Sequence, residues 1–117
     1  MKKLVIVLAA LALLAPVTAS ASRIGQSNAV RSAQSYIQTM PFSYKGLIEQ
    51  LHYEGYSRGD AVYGASHSGA NWMQQAVLSA RNYLQTMPFS YSDLVGQLEY
   101  EGFTAAQARH GVSVAYR

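Results

Sequence analysis

The chain contains no cysteine. That excludes disulfide staples, cysteine-built metal sites and thiol nucleophiles together, and it withholds the residue on which a lipid anchor is built. Charge is scarce as well, at 13% of the residues. Nine basic residues face six acidic ones, and two of the nine, Lys2 and Lys3, stand at the extreme N-terminus. What remains is close to neutral, with no basic stripe of the kind that phosphate recognition needs. Histidine is limited to His52, His67 and His110. No apolar run reaches the roughly 20 residues that cross a bilayer.

The longest apolar run is Leu4 to Ala15, preceded by Lys2-Lys3 and broken by Pro16. Small residues follow in Ala19-Ser20-Ala21. This is the layout of a secretory signal peptide, expected to occupy residues 1–21 and to be cleaved after Ala21, with Val17-Thr18-Ala19 as a second site. The chain is therefore expected to be exported, either secreted or held at the cell surface or wall, with no stable membrane anchor after cleavage.

What is present is a repetition. Gln38-Thr39-Met40-Pro41-Phe42-Ser43-Tyr44 returns letter for letter as Gln85-Thr86-Met87-Pro88-Phe89-Ser90-Tyr91. The likeness spreads both ways at the same offset: Ala29, Ala33 and Tyr36 match Ala76, Ala80 and Tyr83, and Tyr53-Glu54-Gly55 matches Tyr100-Glu101-Gly102. Roughly half of the aligned positions are identical, which marks a tandem duplication. A short linker at 22–27 would precede repeat 1 (28–70), and a second at 71–74 would precede repeat 2 (75–117).

Each repeat reads as three short helices. Ala29, Ala33, Tyr36, Ile37 and Met40 share one face of a first helix, and Pro41 ends it because the residue before a proline leaves the α region. Ser43 is placed to cap the next helix, with Phe42 stapled to Leu47 across the corner. Gly55 stands where a left-handed residue closes that helix. Ser57 caps the third, with Asp60 completing a capping box. In repeat 2 the same parts are Pro88, Phe89, Ser90, Leu94, Gly102, Thr104 and Gln107, and Asp93 adds a carboxylate at the positive end of the second helix. The expected fold is all-α, two tandem three-helix units of helix-turn-helix type. A unit of about 43 residues is small for an independent core, and Trp72 and Met73, without matching residues in repeat 1, are candidates for a contact between the units.

Little here resembles catalysis. None of the histidines recurs at the repeat offset, and no catalytic, metal-binding or cofactor-binding residue is expected. Tyr53 and Tyr100 recur, and at helical spacing they fall opposite the Leu47/Ile48/Leu51 stripe. They either pack on a neighbouring helix of the unit or meet a protein partner, a role for which tyrosine is well suited. Glu54 and Glu101 also recur, beside a helix C-cap where a carboxylate opposes the dipole. An internal salt bridge or a partner would hold them there. Nucleic acid is not expected as a ligand, since Arg58 and Arg109 are the only basic residues of the two third helices.

The runs Phe42-Ser43, Gly46-Leu47-Ile48, Gln50-Leu51, Tyr53-Glu54-Gly55 and Ala61, with Phe89-Ser90, Leu94, Gln97-Leu98, Tyr100-Glu101-Gly102 and Ala108, resemble the Ltp-like helix-turn-helix repeat of the host cell surface-exposed lipoproteins of phages, prophages and Gram-positive bacteria. The resemblance covers both repeats. It implies two small helical bundles outside the membrane that act in superinfection exclusion, blocking DNA injection by another phage. The partner would be phage injection machinery or a host envelope component. Two departures stand out: the lipid-anchor cysteine is absent, which favours a secreted or wall-associated form, and Asp93 replaces the glycine of the Gly-Leu-Ile step. A secreted, wall-associated structural domain of the same fold is the alternative.

Overall fold

The computed structural model describes residues 19–117, with side chains from Arg23 onward. Six α-helices follow one another, α1 Ala19–Thr39, α2 Tyr44–Glu54, α3 Arg58–Ser66, α4 Trp72–Thr86, α5 Tyr91–Tyr100 and α6 Ala105–Ala115. No strand occurs among the described residues. The fold is all-α, two three-helix units in series.

Capping side chains set most of the boundaries. Ser43, Ser57, Ser90 and Thr104 each hold an extended backbone and accept the N–H of Gly46, Asp60, Asp93 and Gln107 respectively. The orphan donors of the first turns are satisfied in this way. At the far end of α2, Gly55 takes φ 118°, and Gly55 N–H and Tyr56 N–H bond back to the His52 and Leu51 carbonyls. That crossed pair is a Schellman stop. Gly102, at φ 107°, repeats it with Gly102 and Phe103 donating to Glu99 and Leu98.

The first and third helices of each unit cross at very short range. A Cβ on Gly64 would lie 2.7 Å from the backbone of Ala29, and one on Gly111 would lie 2.6 Å from that of Ala76. The absence of a side chain at these two glycines is what lets the helices approach. Around each crossing sits a separate core. In repeat 1 it is built from Ala33, Tyr36, Phe42, Leu47, Ile48, Leu51, Ala61 and Ala65. In repeat 2 it is Ala76, Ala80, Tyr83, Leu94, Leu98, Phe103, Ala108 and Val112.

Three expectations need correction. Residues 22–27, read as a linker, are helical and belong to α1, which starts well before Ala29. Nothing in that segment stops a helix, since its one Gly costs only about 1 kcal/mol. The last three residues of the expected signal peptide open the same helix, and residues 1–18 lie outside the described residues. The second linker is shorter than read: α4 starts at Trp72, capped by Asn71 through the Gln74 N–H. Only half of the expected Ser57/Asp60 box forms. The Asp60 carboxylate lies against Gly25 of α1, 2.2 Å from where a Cβ would stand, while the Thr104/Gln107 box is complete.

Candidate functional site

The two repeats meet through the duplicated corner. Phe42 N–H donates to the Gln75 side-chain carbonyl of α4 at 2.8 Å, in a buried position. Ser43 Oγ donates to the Glu101 carbonyl, at the end of α5, at 2.7 Å, while accepting the Gly46 N–H. Gly102 lets this happen, because a Cβ there would stand 2.8 Å from Ser43 Oγ and 2.9 Å from the Lys45 Cβ. Trp72 packs on the core of repeat 1 and meets Tyr44 edge-on, ring centroids 5.4 Å apart. Of the two residues expected between the units, Trp72 is in the joint and Met73 is exposed.

Among the described residues the same corner of repeat 2 has no such neighbour. Pro88 and Ser90 are exposed, Phe89 is half-buried, and Tyr91 and Met87 are exposed. The C-terminal turn supplies some cover: the Tyr116 hydroxyl donates to the Phe89 carbonyl, and its ring meets Tyr91 edge-on at 5.3 Å.

Tyr53 and Tyr100 project to solvent, 55% and 86% exposed. They do not pack in the cores, so of the two sequence-based roles the internal one is corrected. They lie off the α2 and α5 faces that bury Leu47, Leu51, Leu94 and Leu98. Glu54 and Glu101 are turned inward. Glu54 accepts the Tyr36 hydroxyl at 2.9 Å, and Gln50 Nε2 reaches the same hydroxyl at 3.5 Å. In repeat 2, Gln97 Nε2 bridges the Tyr83 hydroxyl, at 3.3 Å, and the Glu101 carboxylate, at 3.2 Å. What holds Glu54 is thus a tyrosine hydroxyl in place of the expected salt bridge. Burial pushes the Tyr36 hydroxyl above its ordinary pKa; the Gln50 bond opposes this and the Glu54 carboxylate adds to it.

Charge is local. Arg58 pairs with Glu49 at 3.2 Å on the surface, so one of the two third-helix arginines already has an acidic partner. The His52 and His67 rings each contact a backbone oxygen through Nδ1, those of Tyr56 and Tyr63. Among the described residues no group of three or more His, Asp or Glu could hold a metal ion. An open groove of about 440 Å³ between α1 and α3 is lined by Arg23, Gln26, Val30, Arg31, Tyr63 and His67 among others. Its counterparts in repeat 2 are largely apolar, with Ala70, Met73 and Leu78 replacing Arg23, Gln26 and Arg31. The sequence did not expose this gathering because its residues come from two helices and, Val30 apart, none recurs.

Among the described residues no helix is long and apolar enough to cross a membrane. A family model described as host cell surface-exposed lipoprotein matches residues 25–67 and, separately, 71–114. Searches of curated proteins and of solved structures return no match.

Proposed function

Because the chain belongs to the host cell surface-exposed lipoprotein family, we propose that it is an exported, non-enzymatic protein-binding module that acts in superinfection exclusion. In this reading it blocks DNA injection by a second phage, through contact with the injection machinery or with an envelope component that the machinery uses. The observation that carries the reading is the recurrence of a solvent-facing tyrosine, Tyr53 and Tyr100, at the same position of both family-matched units. Two such rings on rigid, capped helices supply broad contact area at low conformational cost. The carboxylate beside each ring is engaged inward, so Tyr53 and Tyr100 dominate the contact while Glu54 and Glu101 hold the helix that presents them.

Expression in a susceptible host, with efficiency of plating and injected phage DNA measured together, tests this. The expected result is adsorption at the normal level with loss of DNA injection. Changing both Tyr53 and Tyr100 to Ala is expected to keep helicity and abolish exclusion. Full injection at confirmed surface display would overturn the reading and leave the wall-associated structural role.

A further inference from the structure

We propose that the joint between the repeats can be reused between molecules: the outer end of repeat 1 accepts the open corner of repeat 2 from a second copy, so that chains associate weakly head to tail. The inference is independent of the function proposed above.

The argument starts from what the internal joint uses. On one side is the corner, Met40 to Tyr44, offering the Phe42 N–H and the Ser43 hydroxyl. On the other is a seat made of an amide side chain on a first helix (Gln75) and the carbonyl and glycine that end a second helix (Glu101, Gly102). The duplication supplies each half a second time. Repeat 2 carries the identical corner, Met87 to Tyr91, and repeat 1 carries Asn28, Glu54 and Gly55 at the seat positions. Two of those three are the same residues as in the occupied seat, and the third keeps its carboxamide.

Among the described residues neither second half has a docked helix, although Tyr116 covers part of the corner of repeat 2. Asn28 and Gly55 are exposed, and no side-chain hydroxyl reaches the Glu54 carbonyl among the described residues. Ser90 Oγ accepts the Asp93 N–H as Ser43 accepts that of Gly46. Its own proton, like the Phe89 N–H, has no acceptor among the described residues. Two donors on one end of the molecule therefore match two acceptors on the other. Apolar surface follows the same logic. Met87 and Tyr91 are each 43% exposed, while their counterparts Met40 and Tyr44 pack on the core of repeat 1. The joint also needs a ring over the corner tyrosine. Trp72 provides it internally; its counterpart is Gly25, which brings no side chain, and Tyr116 already holds that place over Tyr91.

Two substitutions set the strength low. Asn28 is one methylene shorter than Gln75, so its amide reaches the corner less well. Asp93 replaces Gly46, and a Cβ at Gly46 would stand 3.5 Å from the Glu101 carbonyl. The corner of repeat 2 thus carries a carboxylate toward the negative end of the helix it docks on. Such a contact is heterologous and does not close on itself, so it adds units in a row as solenoid repeats do.

Sedimentation equilibrium over a concentration series tests this on the full chain, with helicity checked for each variant. The expected result is an average mass that rises with concentration for the natural sequence. Asn28→Arg, a change at an exposed position to a good helix former, should hold the chain at monomer mass. Asn28→Gln combined with Asp93→Gly should tighten association about tenfold, equivalent to about 1.4 kcal/mol. Monomer mass throughout for the Asn28→Gln/Asp93→Gly variant would overturn the proposal. So would association that Asn28→Arg leaves unchanged.

Discussion

The two copies of Met-Pro-Phe-Ser-Tyr are the same letters in different places. In repeat 1 the corner is sealed: Phe42 is 1% exposed and Ser43 2%. In repeat 2 Phe89 is half-buried and Ser90 exposed. Local structure does not separate them, because each serine caps its helix and each phenylalanine meets the first-helix tyrosine edge-on, Tyr36 with Phe42 at 5.8 Å and Tyr83 with Phe89 at 5.5 Å. The difference arises one level up: among the described residues α4 lies beside the first corner and only a C-terminal turn beside the second. One motif therefore serves as a folding instruction in both copies and as a joint in one.

The largest expected effect tests that statement directly. Phe42→Ala removes a fully buried ring and should cost about 3–5 kcal/mol in urea unfolding, whereas Phe89→Ala should cost about half as much. Equal losses would mean that the joint adds nothing to the burial of the first corner. Next come the glycines at the helix crossings, where the repeats should behave alike. Gly64→Ala and Gly111→Ala each force a methyl group into backbone less than 3 Å away, and overpacking of that kind costs about 1–3 kcal/mol or somewhat more. A large loss from one and none from the other would show that only one crossing is rigid.

Much of this is legible in the sequence. Ser43, Ser57, Ser90, Thr104, Gly55 and Gly102 act where the sequence puts them, because capping depends on residues only a few positions apart. Gly64 and Gly111 recur at the repeat offset and could have been noticed, but a glycine within a helix says nothing by itself about what passes next to it. The start of α1 was missed for want of a breaking residue. Tyr53 was ambiguous because its exposure depends on where two other helices lie. The joint was the least legible part. It links Phe42 to Gln75 and Ser43 to Glu101, positions that the duplication does not relate, and Asn28 in the first copy disguised what Gln75 does in the second.

A smaller effect concerns the buried hydroxyl. Tyr36 is held above its ordinary pKa by burial, with Glu54 adding to the rise. The unfolded chain then loses this proton first as pH rises, so it binds fewer protons than the native state and stability falls with pH. The contribution is whole below the ordinary tyrosine value of about 10 and is lost as pH climbs through the raised one. Unfolding free energy measured from pH 8 upward should decline in that window, and Tyr36→Phe should flatten the decline at a cost of about 0.5–1.5 kcal/mol for the lost bond to Glu54. An unchanged profile in Tyr36→Phe would assign the decline to other tyrosines.

The smallest effect falls on an acid-base pair that the duplication failed to copy. Arg58 and Glu49 approach to 3.2 Å with both side chains more than half exposed, and their counterparts in repeat 2 are Ala105 and Gly96. If the pair mattered to the architecture, repeat 2 would need a substitute, yet its α5–α6 turn closes with the same Schellman bonds and a fuller capping box. Water and salt screen such a pair, and holding two long side chains costs entropy, so a double-mutant cycle on Arg58→Ala and Glu49→Ala should return a coupling of about 0–1 kcal/mol that shrinks as salt is added. A coupling well above that, insensitive to salt, would mean that repeat 1 relies on charge where repeat 2 relies on its caps, and the two units would then differ in how their turns are held as well as in what lies beside their corners.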